Sequence, residues 1–411
     1  MAGHVQDRWY RTEPGPDGKP SRVKTDRHGM GMRYRARYIG PDGTEKSKSF
    51  PDKQKRLAEL WLTQIEADMS RGQYIDPQAG RLTVRQHAER WLASLTMDPG
   101  TFVGTEQRIR LHVLPYLGSR TLGSLRPTHI REWLRKLHDG GVAPAYQRVI
   151  FANFSTMLTA AVDDRLIPEN PCRSSSVRAP KLDVRRIVPW PRERVLAVRS
   201  ALPEHYRAMV DLAGGCGLRQ GEVLGLAVDD LDFIDGVVHV VRQVKLIRNR
   251  PVFAPPKGAK TRTVPLPATV ARMVEQHISQ HPPTVVTLPW RAVDGPPVTA
   301  SLLFHRDQGR PVNRNDFNRW AWRPALEAAD VPYGRVNGMH ALRHFYASVL
   351  LDAGESIKAV SQYLGHHDPG FTLRTYTHLM PSSEKRTREA VDRAFADGPE
   401  NDDGPTTAQE G

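Results

Sequence analysis

The chain has 411 residues, enough for two or three domains that each bury a core. Its 59 Lys and Arg outnumber 45 Asp and Glu, and the net charge of +14 favours a polyanionic partner, nucleic acid first, although other basic protein classes share such a balance. No run approaches the roughly 18 apolar residues of a membrane span, no signal-peptide core opens the chain, and two cysteines, Cys172 and Cys216, exclude a disulfide framework or a CxxC zinc site; a cytoplasmic protein is expected.

Residues 1–28 are rich in Gly, Pro and charge, carry no hydrophobic period, and are expected to be flexible. Over residues 32–39 the chain alternates, with Arg33, Arg35 and Arg37 on one face and Met32, Tyr34, Ala36 and Tyr38 on the other, which is a strand with a basic face. Gly40-Pro41-Asp42-Gly43 is a turn, and residues 44–50, with Lys46 and Lys48, read as a second strand. Asp52 is placed to cap a helix running to about Ser70, with Leu57, Trp61 and Ile65 inward. Residues 19–56 hold 12 basic and 4 acidic side chains, so the β-ribbon and helix of 29–72 read as a DNA-groove reader contacting DNA through Arg33, Arg35, Arg37, Lys46 and Lys48. An ordinary solvated charged face is the alternative.

Thr83 caps a helix in which Val84, Ala88, Trp91, Leu92 and Leu95 share one stripe. Helical patterns follow at about 103–117, 127–139 ending at Gly140-Gly141, and 143–165, the last stopped by Pro168-Glu169-Asn170-Pro171. They make a four-helix module over 80–175. The stretch from Cys172 onward is enriched in Arg, Ser and Pro, and residues 176–191 read as an exposed linker. A large, mostly helical unit fills 192–395, with a β-rich insert at about 237–265. The tail, residues 396–411, has five acidic and no basic residues and is expected to be disordered. The fold class is mainly α with small β elements.

Four segments of the large unit carry chemistry together: Gly217-Leu218-Arg219-Gln220-Gly221-Glu222, Pro256-Lys257-Gly258-Ala259-Lys260-Thr261-Arg262, His340-Ala341-Leu342-Arg343, and Leu364-Gly365-His366 followed ten residues later by Tyr376. Each alone is weak, and an isolated Arg, His or Tyr is more often a surface or core residue. Their order and spacing resemble the tyrosine recombinase family, phage integrases and bacterial Xer proteins included, whose motif runs Arg, Lys, His-x-x-Arg, His or Trp, Tyr. All six positions match. The 80–175 module resembles the family's core-type DNA-binding domain, and the N-terminal unit resembles, in pattern only, the arm-type domain of larger integrases.

The residue types suit phosphodiester exchange. Displacing a phosphodiester oxygen drives charge onto two non-bridging oxygens, which the planar guanidiniums of Arg219 and Arg343 are suited to grip. Glu222 lies one turn after Arg219, close enough to orient it. His340 and Arg343, at i and i+3, share a helix face while Leu342, Phe345, Tyr346 and Val349 pack inward. Tyr376 needs positive surroundings and a proton acceptor to attack at neutral pH, and His340 is the better acceptor candidate, with His366 donating to a non-bridging oxygen. The rival nucleophiles Tyr346 and Tyr363 lie in apolar stripes. By resemblance Lys257 protonates the departing 5′ oxygen, with Lys260 its competitor, and Lys260 and Arg262 contact DNA.

The resemblance implies a site-specific recombinase that integrates and excises a mobile element such as a prophage or integrative plasmid. It also implies core- and arm-type attachment sites in double-stranded DNA, a tetramer on DNA with a helix at about 383–395 docked on a neighbour, and help from a host DNA-bending protein and a directionality factor. No GxxxxGK[ST] loop occurs, and His366-His367-Asp368 lacks metal partners, so neither cofactor nor metal is expected. A type IB topoisomerase uses the same residue types, and a catalytically silent DNA-binding regulator would keep the fold. The separate basic N-terminal unit argues against the first and the complete set of six positions against the second.

Overall fold

The computed structural model describes residues 3–14, 19–72, 74–76, 79–181, 186–306, 309–376, 388, 391–392 and 395. Contacts divide the chain into two compact units, one of Met1–Met97 with Thr101–Asp183 and one of Asp98–Gly100 with Val184–Gly411. Among the described residues no helix is long and apolar enough to cross a membrane.

In the first unit, β1 (His4–Asp7), β4 (Tyr34–Ile39) and β5 (Glu45–Phe50) form an antiparallel sheet in the order β1-β4-β5, while β2 (Tyr10–Pro14) and β3 (Pro20–Lys24) make a separate hairpin. Tyr34, Ala36 and Tyr38 are buried against Phe50 and against Ala58, Leu62 and Ile65 of α1 (Lys55–Ser70). The alternation of β4 therefore puts its apolar face under the helix, as a half-buried strand requires. Two expectations fail at this end. The first 28 residues are not featureless, because Val5 lies opposite Ala36 in the ladder and β2 pairs with β3 from Tyr10↔Lys24 to Pro14↔Pro20. A four-residue strand shows no period, and its partner lies far along the chain. Nor does Asp52 cap α1: it accepts from Arg33 Nη1 at 2.8 Å, and Gln54 fills the cap position without a side-chain bond. The inward stripe of α1 runs through Ala58, Leu62 and Ile65, leaving Leu57 54% exposed and Trp61 half-buried.

The helical part of this unit comprises α2 (Val84–Ser94), α3 (Pro99–His112), α4 (Leu114–Leu117), α5 (Pro127–Asp139) and α6 (Pro144–Asp163). Thr83 and Gln86 close a reciprocal capping box on α2: Thr83 Oγ1 accepts from the Gln86 amide at 3.2 Å, and Gln86 Oε1 accepts from the Thr83 amide at 3.0 Å. Ile109, Ile130, Trp133, Leu137, Phe154 and Met157 pack the core, and Trp133 Nε1 donates to His112 O at 2.7 Å. The α6 helix ends at Asp163, ahead of the proline stop, and Cys172 is buried in this core rather than opening an exposed stretch.

The second unit contains α7 (Arg192–Ala201), α8 (Glu204–Gly215), α9 (Gln220–Leu224), β6 (Leu231–Asp232), β7 (Val237–Val240), β8 (Gln243–Ile247), β9 (Arg250–Ala254), β10 (Arg262–Pro265) and α10 (Ala268–Gln280). It continues with β11 (Thr284–Pro289), β12 (Pro297–Leu302), β13 (His305–Arg306), β14 (Arg310–Pro311), α11 (Arg314–Phe317), α12 (Arg323–Ala328), α13 (His340–Asp352), α14 (Ile357–Leu364) and α15 (Pro369–Tyr376). The sheet order is β10-β7-β6, with hairpins β8-β9, β11-β12 and β13-β14 beside it. Residues 237–265 carry β7 to β10, whereas β11 to β14 were not foreseen. Ahead of α13, the stacked Trp190 and Trp322 rings, 6.1 Å apart, both donate to Asn337, through its side-chain oxygen at 3.1 Å and its carbonyl at 3.0 Å. Asn337 lies three residues before α13. The expected tail, residues 182–185 of the linker and most of the expected helix at 383–395 lie outside the described residues.

Removing an N-cap side chain leaves a helix amide unsatisfied, so Thr83→Ala should lower the stability of the first unit by about 1 kcal/mol. Urea unfolding followed by tryptophan fluorescence checks this, and an unchanged midpoint would mean that the capping box is not stabilising.

Candidate active site

The register of α13 sets the centre of the site. His340, Arg343 and His344 fall at i, i+3 and i+4, within one turn of each other. Leu342 and Tyr346 are buried and Phe345 packs on the same core, whereas Val349, expected inward, is 48% exposed. Arg343 is 1% exposed, and a buried guanidinium needs acceptors. Its Nη1 donates to Gly217 O at 2.6 Å and its Nη2 to Leu364 O, while the buried Nε has no partner among the described residues. Burial, reinforced by the charge of Arg219, pulls its pKa down to about 9, so it stays charged at neutral pH. Gly217 offers its carbonyl from left-handed backbone at φ +64°, and a Cβ there would collide with the Tyr346 ring.

Arg219 stands at the N-cap of α9. Glu222, one turn on, accepts from the Arg219 amide at 2.9 Å and from its Nη1 at 2.8 Å. The same carboxylate accepts from Arg262 Nη1 at 3.0 Å and Nη2 at 2.7 Å. Burial alone would raise the Glu222 pKa, but the hydrogen bonds and charge of Arg262, helped by Arg219, outweigh it and hold the group at about 2. Arg262, expected as a DNA contact, is instead a 6% exposed structural clamp.

The end of α14 gathers these cations. Consecutive carbonyls of Tyr363, Leu364 and Gly365 accept from Arg262 Nε at 2.7 Å, from Arg343 Nη2, and from Arg219 Nη2 at 3.2 Å. A helix C-terminus leaves carbonyls unsatisfied and carries partial negative charge, which suits guanidiniums. Gly365 ends the helix at φ +59°, and a Cβ on it would approach Arg262 Cδ to 3.0 Å, so both backbone and neighbour demand glycine.

His366 follows, with Nδ1 2.6 Å from Thr372 Oγ1 and its ring edge-on to Phe371 at 4.9 Å. Tyr376, at the end of α15, is 1% exposed. Its Oη lies 2.7 Å from Nδ1 of His344, which corrects the expectation that His340 would be the phenol's partner. The His340 ring stands 4.6 Å from that of His344, on the preceding turn. Lys257 is exposed on the turn before β10, and its charge reaches His340, as those of Arg343 and Arg219 do. Lys260 is exposed on the same turn. The structure thus brings together Arg219, Glu222, His340, Arg343, His366 and Tyr376, with Lys257 at electrostatic range. It adds His344 and Thr372, which the sequence reading missed; the i+4 spacing of His344 from His340 was the available signal.

Three guanidiniums face one carboxylate here, and the imidazoles do not add to the charge. Desolvation first, then the neighbouring cations, lowers half-buried His366 to about 3 and His340 to about 4, although His340 is exposed and water screens its shift; burial, His340 and Arg343 lower half-buried His344 to about 4. Burial raises the Tyr376 phenol to about 12 against the pull of Arg343 and Arg219. The site is a preorganised anion receptor beside a protonated phenol. Among the described residues no group of three or more His, Cys, Asp or Glu is arranged to hold a metal ion.

The expected basic ribbon is more divided. Arg35 and Arg37 lie across from Gln6 and His4 on the face of β4 turned away from α1, where Arg35 Nε donates to Ser47 at 2.9 Å and Arg37 pairs with Glu45 at 3.0 Å. Arg33 is spent on Asp7 and Asp52, at 2.9 and 2.8 Å. Lys46 and Lys48 sit opposite Tyr38 and Ala36, so they belong to the other face: Lys46 pairs with Asp76 and Asp42, and Lys48 lies 5.4 Å from the Phe50 and Trp61 ring centres.

Because half-buried His344 and His366, and to a smaller, solvent-screened extent exposed His340, are held below the unfolded value near 6.5, the unfolded chain binds more protons than the folded one as pH falls from 6.5 towards 4. Their contribution is intact above pH 6.5 and is lost on acidification. The melting temperature should therefore drop between pH 7 and pH 5, and drop less in His344→Gln. A melting temperature that is flat over that interval would contradict the neutral state of these rings.

Similarity to known proteins extends over both units. Residues 183–383 match the phage integrase family, and residues 83–138 match the phage integrase N-terminal SAM-like domain. The tyrosine recombinase XerC-like protein of Caldanaerobacter subterraneus subsp. tengcongensis is 27% identical over 379 residues, 87% of this chain and 95% of that protein. The integrase of Mycobacterium phage L5 is 25% identical over 386 residues, covering 90% and 96%. Among solved structures, the Tn1549 transposon integrase in complex with a circular intermediate DNA aligns with a TM-score of 0.63 at 21% identity, over 76% of this chain and 99% of that one. A lambda integrase tetramer bound to a Holliday junction aligns with a TM-score of 0.55 at 17% identity, over 84% and 92%. At such identities the structural likeness is one of fold, and that fold is mainly α with small β elements. The chain belongs to the phage integrase family and is a tyrosine-type site-specific DNA recombinase.

Proposed function

We propose that the protein cuts and rejoins DNA attachment sites through a 3′-phosphotyrosyl bond to Tyr376, integrating and excising a mobile element such as a prophage or integrative plasmid. The observation that carries this reading is the Tyr376 phenol, held 2.7 Å from a neutral imidazole in the pocket where Arg219 and Arg343 are anchored on backbone carbonyls. As Oη bonds to phosphorus, charge grows on the non-bridging oxygens, where Arg219 and Arg343 grip it. The unpartnered Nε of Arg343 is a donor left for such an oxygen. His366, its Nδ1 engaged by Thr372, turns the other ring nitrogen to the phosphate, and Lys257 protonates the departing 5′ oxygen. The phosphotyrosine conserves the energy of the broken bond, so a 5′-hydroxyl reverses the step without a cofactor.

The 80–175 module reads core-type DNA and the 29–72 unit arm-type DNA, in the cytoplasm, with a host DNA-bending protein and a directionality factor as helpers. Four strands need four tyrosines, so the working complex is a tetramer on DNA, a reading supported by the lambda integrase tetramer on a Holliday junction.

With a nicked suicide substrate, wild type should accumulate a 3′-phosphotyrosyl adduct and a free 5′-hydroxyl, and Tyr376→Phe none, while core-site binding persists. Arg219→Ala and Arg343→Ala should slow adduct formation by roughly 10²–10³-fold. An adduct formed by Tyr376→Phe would assign the nucleophile to another tyrosine, and relaxation of supercoiled plasmid without joining would favour a topoisomerase.

In the arm unit, Arg35→Ala with Arg37→Ala should weaken arm-site binding and flatten its salt dependence by up to roughly two phosphate contacts, sparing core-site cleavage. Arg33→Ala should instead lower stability, because it releases Asp7 and Asp52. Filter binding at several salt concentrations beside thermal melts separates these outcomes, and unchanged arm binding in the double variant would return both arginines to the solvated surface.

A further inference from the structure

We infer that His344 takes the phenolic proton of Tyr376 while Oη attacks phosphorus, and returns it when the strand is rejoined. The inference rests on the reading of Tyr376 as nucleophile. Nδ1 of His344 is 2.7 Å from Oη, within direct transfer distance, whereas His340 stands behind it with a ring centre 4.6 Å from that of His344. With Nε2 carrying the ring proton, the Nδ1 lone pair accepts the phenol's hydrogen bond.

Among the described residues three groups face His344. His340 and Arg343 act on it from its own helix and Tyr376 meets it from α15. Burial keeps the ring neutral, near 4, so it is a vacant acceptor at pH 7. The phenol, near 12, does not give up its proton to such a base in advance. Transfer therefore accompanies attack, as Oη gains a bond to phosphorus and its acidity rises. The balance is complete: the Oη–P bond forms and the P–O5′ bond breaks. The phenolic proton moves to Nδ1, and the leaving 5′ oxygen takes its proton from Lys257. In rejoining, the 5′-hydroxyl attacks, the Oη–P bond breaks, and the His344 imidazolium reprotonates Oη. His340 is then left among the cations of Arg343, Arg219 and Lys257, on the phosphate side.

His344→Asn keeps a side-chain oxygen near the Nδ1 position that accepts a hydrogen bond but not a proton, and His344→Ala removes both functions. In the full-length protein, with core-site binding and thermal melts as controls for folding, both variants should form the Tyr376 adduct roughly 10²–10⁴-fold more slowly than wild type. Their rates should climb about tenfold per pH unit between pH 7 and 9, where phenolate replaces the missing base and wild type stays flat. A substrate with sulfur at the bridging 5′ position, whose thiolate leaves without a proton, should rescue Lys257→Ala but not His344→Asn. A His344→Asn rate within threefold of wild type reduces His344 to a positioning residue and overturns the inference, as does a faster His344→Ala, which would mean that the bond stows the tyrosine. No Tyr376 adduct in wild type overturns the nucleophile reading itself, a different result from a normal wild type with unimpaired His344 variants.

Discussion

Three consecutive carbonyls at the end of α14 hold three arginines, and the catalytic unit is organised around that convergence. Like charges a few ångströms apart repel by about 4 kcal/mol at the effective dielectric of a partly buried site. The arrangement is stable only because the helix terminus supplies unsatisfied acceptors and because Glu222, depressed to about 2, stays ionised between Arg219 and Arg262. Each arginine comes from a different element: Arg219 from the start of α9, Arg262 from β10, and Arg343 from α13. Satisfying their donors therefore ties those elements to α14, so fold and site are fixed by the same bonds. Gly217 and Gly365 are the backbone concessions that let the guanidiniums come that close.

This convergence leaves a defined electrostatic remainder. One carboxylate does not neutralise three guanidiniums, and the three histidines are neutral at pH 7, so among the described residues the pocket has surplus positive charge. The donors are held in place before any ligand arrives, which is the condition under which charge stabilisation needs no reorganisation. Burial also keeps the phenol protonated, so the pocket's positive charge does not by itself produce a phenolate. A base in contact with Oη is needed, and the imidazole in contact is His344.

Features governed by local periodicity were legible in the sequence. The alternation of β4, the Thr83 cap and the α2 stripe each depend on neighbours along the chain, and motif order picked out Arg219, His340, Arg343, His366 and Tyr376. What escaped depended on distant partners. The pairing of β1 with β4 joins two segments separated by a turn and a hairpin, and Val5 alone does not announce it. Alternation within β5 was visible, but the register that puts Lys48 opposite Ala36, and so on the face away from Arg35, was not; a one-residue slip would reverse it. Arg262 looked like any basic side chain in a basic loop because its burial is created by Glu222 and Tyr363. The choice between His340 and His344 turned on where α15 docks, which helical spacing on α13 does not contain.

The site also separates what must hold still from what must yield. Arg343 and Arg219 are held by charge-assisted bonds to carbonyls and to Glu222, each worth about 1.5–3 kcal/mol. The side-chain bonds of His344 to Tyr376 and of His366 to Thr372 in α15 are neutral ones, worth about 1 kcal/mol apiece. Tyr376 is 1% exposed, so a phosphodiester reaches Oη only if the tyrosine or its cover shifts. Breaking those two bonds costs less than displacing either arginine, and an arriving phosphate would strengthen the arginine side further. On the proposed mechanism the receptor therefore stays fixed while Tyr376 accommodates. Both histidines that tether α15 sit beside Arg343 and Arg219, so on the proposed mechanism returning the tyrosine to its tether also returns it to its proton acceptor.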